Sequence, residues 1–196
     1  IDAGLVRVLE DSVGHLSNVE IRHEDASQVD LRDDLTDGPW SLVANLPYNV
    51  GTGIVLDALR EAPDIERFVI MVQREVADRL LADPGSRGYG IPSVVRALHA
   101  SGSVAFTAPP NVFYPTPSVE STVLELVRHP APEAAERAIE IAIAAFGQRR
   151  KMLRRSLAAI VPEAASVLER CEIDPTLRPE DLSPDDFVTI AVEVDQ

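Results

Sequence analysis

"WSLVANLPYNVGTGIVLDALREAPDIERFVIMVQ", Trp40 to Gln73, decides the fold. "WSLVANL" (40–46) is an apolar run of strand length, "TGIVLDALREA" (52–62) repeats apolar residues at helical spacing, and "IERFVIMVQ" (65–73) returns to strand character. Thr52 stands where a helix cap is wanted. Strand, helix, strand within so short a span predicts a crossover unit of a doubly wound, parallel α/β sheet. Ligands of such sheets sit beyond the carboxyl ends of the strands, and here that place is taken by Asn45-Leu46-Pro47-Tyr48.

The same rhythm continues on both sides. Upstream, "NVEIR" around Val19 to His23 reads as another buried strand; downstream, "REVADRLLAD" (74–83) reads as a helix closed by the Pro-Gly of "DPGSRGYG". "IPSVVRALHAS" (91–101) is helical in pattern, and "SVAFTAP" (103–109) and "STVLELVRH" (121–129) are strand-like. The "PPNVFYPTPSVE" between them holds four prolines, which fix φ and remove backbone donors. A stiff, extended, non-helical strap between two antiparallel strands is expected. After "HPAPEA" the pattern is helical to the end, beginning with one long run, "AAERAIEIAIAAFGQRRKMLRRSLAAI". A boundary near residue 130 therefore divides an α/β unit, 1–130, from an all-helical unit, 131–196.

Composition limits what such a chain does. Its 196 residues are 45% hydrophobic, enough to fill a core, and apolar runs such as "IAIAAF" (141–146) are too short to span a bilayer. A single Cys171 permits no internal disulfide, and His15, His23, His99 and His129 show no ligand spacing, so no metal is expected. Such cysteine usage fits a reducing cytoplasm. Net charge is −14, which opposes general nucleic-acid binding. The charge is segregated, however: five of the eighteen basic residues, Arg149, Arg150, Lys151, Arg154 and Arg155, fall within seven positions, and Ser156 to Gln196 carries ten acids against two arginines. On a helix, Arg150 with Arg154 and Lys151 with Arg155 would be four apart and form a stripe for phosphates, although solvated surface charge also explains such a run.

Asn45 to Tyr48 admits two readings. As a turn, Asn45 bonds its own backbone and Tyr48 packs. As a site, Pro47 holds Leu46 extended and gives up its own donor, Asn45 adds a side-chain carbonyl, and Tyr48 supplies a ring. Two acceptors beside a stacking face specify an exocyclic amine on an aromatic base.

Five blocks in order, "NLPYNVGTGIVLDAL", "MVQREVADRLLADPGSRGYG", "FTAPPNVFYPTPSVESTVLELV", "FGQRRKMLRRSL" and "LRPEDLSPDDFVTIA", resemble the rRNA adenine N6,N6-dimethyltransferases of the kasugamycin-resistance (KsgA) type. Related erythromycin-resistance methylases more often have isoleucine at the place of Leu46. N6-adenine DNA methylases carry Asp/Asn-Pro-Pro-aromatic, without this leucine. The resemblance implies a Rossmann-like class I methyltransferase core and a small helical domain. It implies transfer of methyl groups from S-adenosylmethionine to two adjacent adenosines in the hairpin loop near the 3′ end of 16S rRNA, in the small ribosomal subunit, by a monomer. Carried over by motif, Asn45 and the Leu46 carbonyl hold the adenine amine, Pro47 shapes the loop, Tyr48 stacks, and Phe113 of "FYPTP" offers a second ring. Asp25 in "HEDAS" resembles the acid that meets the donor's adenine amine, with Ala26 beside it. Gln73, Arg74 and Glu75 either shape the pocket or cap the next helix, and His23 and Glu24 read as surface residues. The arginine cluster falls where the family contacts RNA.

One departure stands out. The family's glycine-rich donor loop has no counterpart in these letters, and "IDAGL" resembles the end of a later motif, with Asp2 on the donor side and the ribose-binding acid falling before residue 1. An N-terminally truncated core, with weak or absent donor binding, is the expectation. A non-catalytic ribosome-assembly factor that docks on the small subunit is the alternative.

Overall fold

The structure, a computed structural model, describes residues 2–35 and 38–195, with Asp33 and Asp34 described by backbone alone. Ile1 and Gln196, the outer limits of the two sequence units, lie outside the described residues. The elements are α1 (Ala3–Val13), α2 (Leu31–Asp34), β1 (Trp40–Asn45), α3 (Gly51–Glu61), β2 (Ile65–Gln73), α4 (Arg74–Leu80), α5 (Ile91–His99), β3 (Ala100–Ala108), β4 (Ser121–Arg128), α6 (Ala135–Gly147), α7 (Leu153–Ser156), α8 (Ala164–Arg170) and α9 (Pro184–Val194).

β1 and β2 pair in parallel across α3, as the opening stretch requires. β2 then pairs antiparallel with β4, and β4 with β3, giving the order β1-β2-β4-β3. The sheet is thus mixed, and its parallel part among the described residues is β1 with β2. β4 reaches β2 through the proline strap from β3 without a crossover helix, so it runs against its neighbours. That strap is not wholly extended. Pro110–Val112 forms a 3₁₀ turn, closed by the Val112 and Phe113 amides on the Pro109 and Pro110 carbonyls, because proline is tolerated in a first turn that needs no donor from it.

Three further expectations are corrected. The segment from Val19 to His23 joins no ladder among the described residues; apolar alternation alone does not make a strand without an adjacent strand to pair with. Thr52 lies inside α3, whose cap position is Val50 with no side-chain bond. The long helical run after residue 134 breaks at Gly147, with a turn at 148–151 and Met152 in extended conformation before α7 begins.

Two apolar clusters hold these elements. One lies against the sheet and gathers Val55 and Leu59 of α3, Phe68 and Ile70 of β2, and Leu124 and Leu126 of β4. The other joins Val94, Val95 and Leu98 of α5 to Ile141 of α6, Leu168 of α8 and Phe187 and Ile190 of α9. Packing therefore crosses residue 130, since α5 shares its core with the helices that follow. Among the described residues no helix is long and apolar enough to cross a membrane, and no group of three or more potential ligands that could hold a metal occurs.

His99 sits at the end of α5, buried, its Nδ1–H donating to the Val95 carbonyl at 2.9 Å. Burial holds its basicity below the ordinary value of 6.5 despite that bond, and the Arg128 charge adds to the effect. The unfolded chain therefore takes up a proton first as pH falls, so His99 contributes stability above about pH 6.5 that is lost progressively below it. Thermal unfolding followed from pH 7.5 to 5 is expected to show a shallower decline in His99→Gln than in the parent chain.

Candidate functional site

Asn45 ends β1, and the Leu46 amide makes one more bond, 3.1 Å to the Met71 carbonyl of β2. The Leu46 side chain is buried, which anchors the loop. The Pro47 carbonyl then accepts from the Gly51 amide at 2.8 Å, opening α3. Gly51 is needed there because a Cβ would stand 2.8 Å from the Leu46 Cβ. Strand end, loop and helix start are thus wedged together, while the Asn45 carboxamide and the Leu46 carbonyl take no hydrogen bond among the described residues. The self-bonded Asn45 turn of the alternative reading is absent among the described residues.

Tyr48 is 45% exposed, and its hydroxyl lies 3.2 Å from Ser121 Oγ, a buried group at the start of β4. The strap approaches from the other side. Phe113 is half-buried with extended backbone, and Thr116 Oγ1 donates to its carbonyl. At the end of the strap, Glu120 accepts from Arg74 Nη1 at 2.6 Å, and its carbonyl accepts from the Arg74 amide at 3.0 Å. Arg74 therefore ties the strap to α4, and Gln73 occupies the α4 cap position with no side-chain bond.

Asn45, Leu46, Pro47, Tyr48 and Phe113 line one cleft of about 400 Å³, together with Met71, Tyr114, Pro115, Pro117 and Ser121. Among the described residues it contains two unengaged acceptors, the aromatic rings of Tyr48, Phe113 and Tyr114, and no carboxylate, imidazole or ammonium. A larger hollow, about 640 Å³ around Trp40, Glu66, Arg67 and His129, lies at the opposite end of the strands, away from the carboxyl ends where α/β sheets hold ligands. Chemistry and topology therefore select the smaller cleft over the larger.

The other sequence candidates lie elsewhere. Asp2 caps α1, its Oδ1 accepting from the Gly4 and Leu5 amides, which hold its carboxyl below the usual range. Asp25 is exposed, and its Oδ1 accepts from the Ser27 amide and hydroxyl, which lower it likewise; Oδ2 is left open. Ala26 lies in the same turn. None of these three lines the cleft. Glu24 pairs with Arg22 at 2.8 Å. Cys171 is half-buried beside the Thr189 carbonyl, and burial pushes its thiol up.

The basic cluster is not a stripe on one helix. Arg149, Arg150 and Lys151 lie in the turn after α6, and Arg154 and Arg155 in α7. Arg149 is engaged, 2.7 Å from Glu180 and over the Phe146 ring at 5.9 Å. Arg150, Lys151 and Arg155 are exposed and have no partner among the described residues. Two site features escape sequence reading. Ser121 and Tyr48 are 73 residues apart, and an Arg74–Glu120 pair carries no local signal.

The Ribosomal RNA adenine dimethylase family model matches residues 1–196. A ribosomal RNA small subunit methyltransferase A of Kineococcus radiotolerans is 47% identical over 159 residues, 78% of this chain and 53% of that protein. That of Idiomarina loihiensis is 37% identical over 196 residues, 97% of this chain and 67% of that protein. The chain thus spans about half to two thirds of the length of these relatives. A dimethyladenosine transferase from Plasmodium falciparum shares the fold with a TM-score of 0.82 at 19% identity, and the 23S rRNA methyltransferase ErmE with 0.71 at 21%. Each covers all of this chain, and the chain covers 80% of each, so this chain shares their Rossmann-like fold.

Proposed function

The chain belongs to the ribosomal RNA adenine dimethylase family, and from that premise we propose that its cleft holds an adenine of rRNA for methylation at N6. The observation that carries this reading is the meeting of the Asn45 carboxamide, Leu46, Tyr48 and Phe113 in one cleft at the carboxyl end of a parallel strand. The substrate is the pair of adjacent adenosines in the 3′-terminal hairpin loop of 16S rRNA, presented by the assembling small subunit. A loop base leaves its stack at lower cost than a paired one.

The donor, S-adenosylmethionine, supplies an electrophilic methyl group when bound. Asp25 fits its adenine end, because Oδ2 is open to an N–H while Oδ1 serves the turn. The protein's own contribution is positioning. Adenine's amine is a weak nucleophile whose lone pair is delocalised into the ring. The Asn45 amide oxygen and the Leu46 carbonyl accept its two N–H bonds, favour a pyramidal nitrogen and stabilise the positive charge that develops there. Tyr48, held by Ser121, and Phe113 clamp the base so that the lone pair points along the transfer axis. Among the described residues no strong base lines the cleft, and none is required, since a methylated aryl ammonium gives up its proton readily.

We assign the α/β part, 1–130, to this chemistry and the helical part, 131–196, to docking through Arg149, Arg150, Lys151, Arg154 and Arg155. Incubation with labelled S-adenosylmethionine and unmethylated small subunits, followed by nucleoside analysis, tests the reading. Label in N6-methylated adenosine supports it; label in another nucleoside overturns it. The second reading, a docking factor without catalysis, is favoured by the exposed, unpartnered cations of the turn. Arg150→Glu with Arg154→Glu is expected to weaken co-sedimentation with small subunits by about tenfold or more, with a reduced salt slope. Unchanged sedimentation would remove these residues from the interface.

A further inference from the structure

We propose that the cleft receives two neighbouring bases, with Tyr114 and the prolines beside it forming a shelf for the nucleobase that flanks the adenine. The inference rests on the base-pocket reading and extends it to a second position. Asn45, Leu46, Tyr48 and Phe113 account for one purine, with two acceptors and two ring faces. The cleft does not end there. It runs along the strap to Tyr114, Pro115 and Pro117, and its volume of about 400 Å³ includes that extension.

Tyr114 is 101% exposed, the most exposed of the large hydrophobic side chains among the described residues, and Val112 nearby is 63% exposed. Apolar faces left wholly in water on a stiff strap are surface that a partner can cover. Phe113 has extended backbone, with φ −107° and ψ 151°, so successive side chains leave on opposite sides. Phe113 is half-buried in the cleft wall, and Tyr114 stands at the outer rim. Drawing one base out of a single strand strips its neighbour of a stacking partner. A ring at the rim restores that stacking, and it does so for any base, because every base has a π face. The ligand class is therefore single-stranded RNA engaged through two consecutive bases, the first chosen by its amine and the second held by stacking alone.

Short single-stranded RNAs test this, each with one adenosine whose 5′ or 3′ neighbour is either a purine or an abasic sugar, so that backbone charge is constant. Binding to the 196-residue chain is read by fluorescence anisotropy. The intact strand is expected to bind about 5- to 100-fold more tightly than one of the two abasic strands. Tyr114→Ala should bring the intact strand down to the abasic level while leaving the abasic strand within about twofold, and Tyr114→Trp should keep the difference. Circular dichroism confirms that the exposed substitution leaves the fold intact. Equal affinity of the parent chain for all three RNAs, including no binding of any, overturns the shelf, as does a difference that survives Tyr114→Ala. Removing the adenine base instead probes the pocket separately: no loss there defeats the pocket reading while the shelf is judged on its own strands.

Discussion

Asn45→Ala is expected to slow methylation of small ribosomal subunits by about 2 to 4 kcal/mol of barrier, the cost of one preorganised acceptor in an electrostatic site. The effect should fall on kcat more than on KM for the particle. Particle binding is spread over distant phosphate contacts, whereas this acceptor matters most when charge develops on the amine. Stability should change little, because the Asn45 side chain is exposed and bonds nothing among the described residues. Asn45→Asp makes a sharper comparison. It keeps an acceptor but adds a charge beside Tyr48 and Phe113, and it should recover only part of the rate.

Arg128→Ala is expected to have the largest effect on stability, a loss of about 3 kcal/mol in chemical denaturation. From the end of β4 its guanidinium donates to four carbonyls: Nε to Ile65 at 2.6 Å, Nη1 to Leu59 at 2.8 Å, and Nη2 to Ala58 and Ala62 at 2.9 and 3.0 Å. Two of these lie in the last turn of α3 and a third, Ala62, caps it, where a cation is also favoured by the helix dipole, and the guanidinium lies 5.6 Å from the centre of the Phe68 ring. Burial lowers the basicity of Arg128 without discharging it. Removing it leaves partly buried carbonyls short of donors and loosens β4 from the β1-α3-β2 unit. Arg128→Lys should recover only part of the loss, since one ammonium lacks the planar five-donor fork. An unchanged denaturation midpoint in Arg128→Ala would contradict this account of the link.

Much of the fold is legible where the pattern is long and its partners are local. β2 runs from Ile65 to Gln73 as its apolar run predicts, and the Trp40 strand and the helix after it fall within a residue of expectation. The same letters failed where structure depends on a distant partner. "NVEIR" has a strand's composition but no ladder among the described residues. The arginine cluster suggested a stripe on one helix, yet α6 ends at Gly147, so Arg149 to Lys151 fall in the turn that follows and Arg154 and Arg155 in the separate α7. Arg128 carries no local signal of its role, and only tertiary packing reveals its four carbonyls. At the site, the loop at the β1 terminus was readable because Pro47 interrupts an apolar strand. Its meeting with Phe113 came from family resemblance, and the Ser121 anchor from neither, because a contact 73 residues apart leaves no local trace.

The most direct test of the amine-reading cleft compares two short single-stranded RNAs that differ by one exocyclic amine, one with adenosine and one with purine riboside at the target position. The parent chain should prefer the adenosine RNA by about 5- to 100-fold, the range of a paired hydrogen-bond readout, and Asn45→Ala should erase most of that preference. Equal binding of the two RNAs by the parent chain, or a preference that persists undiminished in Asn45→Ala, would contradict the assignment.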